Sequence, residues 1–181
     1  MSTEIINLCY KDKREEELCS SDTTICYGYA TDETPELHPQ SHLLANRLTD
    51  KLTEVRKAKV LPYLRPDGKI TVTMEYKTNV TDDKSVAPLR VHSIFVSTQH
   101  DSDVTFEELK AGIIEQVIKP VVPKELVDSN TQYLVNPKGT FINGGPEMDT
   151  GVTGKKIAVD TYGGWGSNGG NKHIFIIIHN Y

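Results

Sequence analysis

Pro66-Asp67-Gly68-Lys69-Ile70-Thr71-Val72-Thr73-Met74-Glu75-Tyr76 is the stretch on which the fold turns. Pro66-Asp67-Gly68 has turn chemistry, because proline presets φ and glycine accepts positive φ. From Lys69 the pattern alternates. Ile70, Val72, Met74 and Tyr76 fall on one face, and Lys69, Thr71, Thr73 and Glu75 on the other, as in a half-buried strand. Lys77 to Pro88 is polar and reads as a loop. Leu89 to Val96, apolar at Val91, Ile94, Phe95 and Val96, reads as the returning strand of a hairpin.

Helical patterns flank this hairpin. Between Pro35 and Lys59, Leu44, Leu48, Leu52 and Val55 recur at helical spacing, so they predict an apolar stripe facing a core. Thr105-Phe106-Glu107-Glu108 spells a capping box. The helix after it buries Leu109, Ile113, Val117 and Ile118, and Pro120 stops it. Further on, Gln132 to Val135 and Thr140 to Ile142, joined by the turn Asn136-Pro137-Lys138-Gly139, suggest a second hairpin. Ile25-Cys26-Tyr27 and Lys155 to Thr161 are further strand candidates, and Ile174 to Ile178 is an apolar run near the end. Strands and helices in mixed order with hairpins indicate an α+β fold: a small mixed sheet with helices on one face.

Composition narrows the classes. The 181 residues suggest one domain, or one domain and part of another. A net charge of −5 offers no basic field for nucleic acid or an anionic membrane, so anion binding would rest on local lysines. Cys9, Cys19 and Cys26 are an odd set without C-x-x-C spacing, which points to reduced thiols and a cytoplasmic location. Met1 to Leu18 is polar and reads as a solvated end with no signal-peptide core, and no run is long enough to span a membrane. His38 and His42 stand four apart, but Pro39 interrupts the helix there and no carboxylate completes a metal site. Gly164-Trp165-Gly166-Ser167-Asn168-Gly169 matches G-x-G-x-x-G only literally, because an isoleucine-rich run follows where a dinucleotide fold needs a helix.

Residues 136–170, NPKGTFINGGPEMDTGVTGKKIAVDTYGGWGSNGG, concentrate the chemistry. Glycines let a backbone approach a ligand, and neighbouring lysines neutralise phosphate charge. Read from its residues, the segment is an anion-handling loop system. Its Gly144-Gly145-Pro146, Asp149, Thr153-Gly154, Lys156 and Asp160-Thr161-Tyr162-Gly163-Gly164 resemble the core signature of the S-adenosylmethionine synthetases. Gly28-Tyr29-Ala30-Thr31-Asp32-Glu33, Leu61-Pro62 with Leu64-Arg65-Pro66-Asp67, and Ser97-Thr98-Gln99-His100-Asp101 extend the resemblance from about Lys13 to Gly170, in the family's order.

The resemblance implies one of three similar domains. Residues 17–151 would be the central domain, 152–181 a truncated start of the C-terminal domain with a divergent tail, and 1–16 a polar N-terminal segment. It also implies a reaction: the sulfur of L-methionine attacks the 5′ carbon of ATP, with Mg2+ and K+ assisting, and triphosphate leaves to be hydrolysed. Preplaced cations would stabilise that leaving group.

By the same resemblance, Lys69 contacts phosphate, although alone it reads as an exposed strand lysine. Asp149 handles ATP and methionine, and Lys155 and Lys156 form a basic pair on ATP. Lys155 stands where the family has arginine, which loses the bidentate fork. Phe141 sits beside adenine, or equally is a core phenylalanine. Gly139 and Asp22 complete the expected ATP-binding set, and Lys69, Asp149 and Lys155 the expected catalytic set. No metal ligand is assigned.

Departures accompany the match. Cys19 to Thr24 keeps only Asp22 of a glycine-rich family segment, Thr140 replaces an arginine, and Glu147-Met148 precede Asp149 in place of a small residue. The family's Gly-His-Pro-Asp-Lys motif has no counterpart, and Asn171 to Ile178 replace a loop bearing lysine and aspartate. The expectation is therefore a chain of this transferase family that is incomplete and not competent alone. The alternative is a non-catalytic module that pairs with a full-length synthetase subunit; a homodimer is the other assembly the family implies.

Overall fold

The computed structural model describes residues 3–18, 26–78, 86–149, 151 and 154–169. Helix α1 (Thr3–Tyr10) and a 3₁₀ turn (Glu15–Glu17) carry described side chains that are exposed. The polar N-terminal stretch is thus locally helical, where its composition suggested only a solvated end. Cys26 and Tyr27 are not in a strand, and Ile25 lies outside the described residues.

Three strands form one sheet in the order β1-β2-β3: β1 (Leu64–Thr78), β2 (Val86–His100) and β3 (Gln132–Val135). β1 and β2 are antiparallel, whereas β3 runs parallel to β2. A parallel return needs a crossover. Helix α3 (Phe106–Ile113) supplies it, continuing through a π turn (Ile114–Ile118) and a last turn (Lys119–Val121). The result is the small mixed sheet of an α+β domain.

The hairpin is longer than its hydrophobic pattern indicated, since pairing continues out to Thr78 and Val86. Residues 79–85 lie outside the described set. Pro66-Asp67-Gly68 is not a turn but part of a bulge. Leu64 pairs with His100 and Gly68 with Thr98, so β1 carries extra residues there. A bulge accommodates a proline, which has no N–H to give the ladder. A second register shift pairs Thr73 with Ser93 but Met74 with Val91. It reverses the alternation at His92, which is why Val91 and Ile94 are both fully buried.

Helix α2 (Gln40–Lys57) starts immediately after Pro39 and turns Leu44, Leu48, Leu52 and Val55 inward, as their spacing predicted. Thr105 caps α3 by accepting the Glu108 N–H at 3.3 Å. Leu109, Ile113, Val117 and Ile118 join the same core with Ile94, Val96 and Val135. The helix passes Pro120 by one residue before Val122 turns extended.

Two further strand expectations fail. Thr140 to Ile142 form no strand, because the Phe141 backbone bonds to His100 instead: its carbonyl accepts the His100 N–H at 3.0 Å. Lys155 to Thr161 contain a short helix, Ile157–Asp160. The Asn136–Gly139 turn is present, closed by Gly139 N–H to Asn136 O at 2.9 Å. The isoleucine run after Gly170 lies outside the described residues. Among those described, no helix is long and apolar enough to cross a membrane.

Candidate functional site

The bulge in β1 places Asp67, Gly68 and Lys69 at the rim of a cleft of about 520 Å3 between α2 and β1. The far wall comes from a distant part of the chain, with Asp149, Lys156, Val159 and Gly163. Ser41, His42 and Asn46 of α2 line it as well. Lys69 and the pair Asp149 and Lys156, roughly eighty residues further along the chain, therefore face one space.

Lys155 stands next to this group, its Nζ 3.7 Å from Asp149 Oδ1. Both side chains are well exposed, so their attraction is weak and screened. Phe141 does not line the cleft. It is half-buried behind Gly144, where a Cβ would lie 2.5 Å from its ring. Gly139 is likewise outside the cleft, in the exposed turn with φ of +101°. Asp22 and the segment Cys19 to Ile25 lie outside the described residues, as does Thr153.

Two polar side chains set the shape of the Asp149-bearing loop. Asp67 Oδ2 accepts the Gly145 N–H at 3.0 Å. Gln99 Oε1 accepts the Asp67 N–H at 3.3 Å, while Gln99 Nε2 donates to Ile142 O at 2.9 Å. Gly145 O then accepts N–H bonds from Met148 at 3.1 Å and from Asp149 at 2.8 Å. Asp67 and Gln99 belonged to recognisable motifs, but their supporting role was not evident. The signal was present: Thr98, Gln99 and His100 are polar residues at a buried strand end. Such groups need partners.

His42 is buried, and burial pushes its imidazole below the ordinary value; the Val159 carbonyl pulls it up and the His38 ring pushes it down. Tyr76 is pushed up to about 12, chiefly by burial, and donates its O–H to Glu33 Oε2 at 3.0 Å.

The described residues contain no cluster of three or more His, Cys, Asp or Glu side chains able to hold a metal. Asp67 is occupied with Gly145 and Asp149 faces Lys155, so these groups do not make a magnesium cage. What the cleft offers is two lysines, Lys69 and Lys156, beside two acids, of which Asp67 is engaged by the Gly145 N–H. That combination suits an anionic, phosphate-bearing ligand.

Comparison with known families agrees on the origin of these elements. The family described as S-adenosylmethionine synthetase, central domain, matches residues 17–141. The one described as S-adenosylmethionine synthetase, C-terminal domain, matches residues 143–173.

Proposed function

Because this chain belongs to the S-adenosylmethionine synthetase family, we propose that its cleft receives the triphosphate of ATP, with Lys69 and Lys156 as the cations that meet it. The observation that carries this reading is the convergence of Lys69, Lys156 and Asp149 on one space beside the β1 bulge. The activity it belongs to is adenosyl transfer from ATP to methionine sulfur. In that reaction a leaving triphosphate concentrates negative charge, and preplaced cations lower the barrier most effectively. Asp149, 3.7 Å from Lys155 Nζ, is the acid assigned to handling ATP and methionine.

Within residues 1–181 nothing matches the Gly-His-Pro-Asp-Lys motif, and the cleft holds no metal cage among the described residues. We read residues 1–181 as one contributor to this chemistry, with turnover drawing on groups of a full-length synthetase subunit. Calorimetry with ATP and with tripolyphosphate tests the first part. Each of Lys69→Ala and Lys156→Ala is expected to weaken binding about tenfold, the loss of one charge-assisted contact. Unchanged affinity in both variants would overturn the assignment. For the second part, the purified chain incubated with ATP and methionine is expected to form no S-adenosylmethionine. Robust product formation would refute that. Co-elution with a full-length subunit, expected if the site is completed in trans, is read by gel filtration.

A further inference from the structure

We propose that the open edge of β1 receives the chain's own apolar run, Ile174 to Ile178, as an added antiparallel strand seated in the cleft. β1 is an outer strand: among the described residues only β2 pairs with it. Its other edge faces the cleft, which Asp67 to Val72 line without a break. Successive strand residues point to opposite faces, so a cleft that meets each of them in turn runs along the edge and not across a face. The facing wall is a flank of α2, where Ser41, Ala45 and Thr49 recur at four-residue intervals beside the core stripe. The unused N–H and C=O groups of such an edge are a template for another extended segment.

The lining and the run match in character. Besides its lysines and acids, the cleft presents Ile70, Val72, Ala45 and Val159. Ile70 and Val72 are only partly buried against the core, so apolar surface is left over for a further segment. In the run, isoleucines and one phenylalanine follow one another, no Asp, Glu, Lys or Arg comes after Lys172, and no proline or glycine after Gly170. β-Branched and aromatic residues suit a pleated, half-buried surface. With a period of two, Ile174, Ile176 and Ile178 share one face, the one that would meet α2 and Val159.

The place where the described chain stops selects this occupant. The segment leading to Gly169 is docked on the wall of the cleft. His42 Nε2 donates to Val159 O at 2.9 Å, and the Trp165 indole N–H donates to Ser41 Oγ at 3.1 Å. The Trp165 ring also meets Tyr76 edge-on, with centroids 4.9 Å apart. Trp165 therefore stands at the Tyr76 end of β1. Ile174 follows nine positions later, a reach of up to about 30 Å. From Tyr76 to Lys69 the strand itself spans only about 23 Å. A run that enters at the Tyr76 end travels toward Lys69, opposite to β1, which is why the added strand is antiparallel.

Hydrogen exchange of the full chain, read by mass spectrometry on fragments of β1, tests this with no ligand present. Ile176→Pro removes an N–H from the added ladder, and Ile174→Lys with Ile176→Lys puts charge on its inward face. In both variants the fragment from Lys69 to Met74 is expected to exchange at least about threefold faster than in the parent. Fragments of β2, paired on both edges, are expected to keep the parent rate. The same β1 rate in the parent and both variants would overturn the proposal, as would faster exchange spread equally over β2. Protection that grows with protein concentration would also overturn it, by giving the edge to a second copy. The consequence for phosphate rests on the reading of the cleft given above. Strand and triphosphate would compete for one space, and one docked fraction sets both effects. Tripolyphosphate is therefore expected to bind at least about threefold more tightly to both variants. Faster β1 exchange with unchanged affinity would refute the phosphate reading and leave the added strand standing.

Discussion

Asn136→Ala is expected to destabilise the domain by about 3 kcal/mol, combining two buried hydrogen bonds with a backbone penalty. Strand β3 stops at Val135, and from there the Asn136 side chain carries on the pairing with β2. Its Oδ1 accepts the Thr98 N–H at 2.8 Å and its Nδ2 donates to Thr98 O at 2.9 Å. Asn136 is 3% exposed and Thr98 fully buried, so water does not replace the lost partners. Thr98 Oγ1 already has no hydrogen-bond partner among the described residues, so the variant would add further unpaired polar groups to a buried strand end. Asn136 also holds φ of +40°, a region asparagine tolerates better than alanine. Urea denaturation of Asn136→Ala and Asn136→Gly separates the two contributions. Glycine restores the backbone freedom but neither bond, so it is expected to recover only part of the loss. A change within about 0.5 kcal/mol in the alanine variant would show that the side-chain bridge is not a structural tie.

Asn136 also shows how far the sequence could be read. The turn at Asn136-Pro137-Lys138-Gly139 was legible from local chemistry, because those residue types favour turns wherever they occur. That the asparagine amide would extend a parallel ladder depended on where β2 would lie, which no local pattern carries. The same boundary recurs across the fold. The α2 stripe and the inward faces of β1 and α3 followed from periodicity, since burial imposes it directly. The direction of β3 did not follow, because a four-residue strand reads the same parallel or antiparallel. Lys155 to Thr161 looked like a strand through Ile157 and Val159, yet the segment is helical. Asp160 N–H bonds to Lys156 O at 2.9 Å, Thr161 Oγ1 to Ile157 O at 2.8 Å, and Gly163 N–H to Ala158 O at 2.7 Å. Tertiary docking overrides a weak β preference in so short a stretch.

At the candidate site, Lys69, Asp149 and Lys156 carried a family signature and do meet in one cleft. Gly139 and Phe141 carried one too, but neither lines that space. Phe141 spends its ring against Gly144 and its backbone on His100. The supporting bonds of Asp67 and Gln99, and the His38–His42 contact, depend on long-range geometry. A pair of histidines four apart with a proline between them gave no indication that one ring would face a carbonyl 117 positions further along the chain.

Gly163→Ala is expected to release the segment from Lys156 to Trp165 while leaving the domain core folded. Gly163 has φ of +66°, where an alanine costs about 1–2 kcal/mol. A Cβ there would also lie 2.9 Å from His42 Cβ and 2.9 Å from His42 Cγ. The His42 Cβ is fixed by the backbone of α2, so rotating the ring away does not remove the clash. One of the two elements must move, at a cost typical of overpacking, about 1–3 kcal/mol. The two costs together oppose docking by about 2–4 kcal/mol, enough to shift that equilibrium by a factor of roughly thirty or more. The atoms nearest a Cβ at Gly163 belong to His42, which is not part of the apolar core cluster, so the main unfolding transition is expected to change little. Trp165 emission should be red-shifted, since the segment no longer docks Trp165 against Ser41 and Tyr76. Affinity for tripolyphosphate should fall to the level of Lys156→Ala, and adding Lys156→Ala to Gly163→Ala should change it no further. A parent-like emission spectrum in Gly163→Ala would mean that the segment docks without the close glycine contact. A further loss of affinity in the double variant would mean that Lys156 reaches the phosphates even when its turn is free.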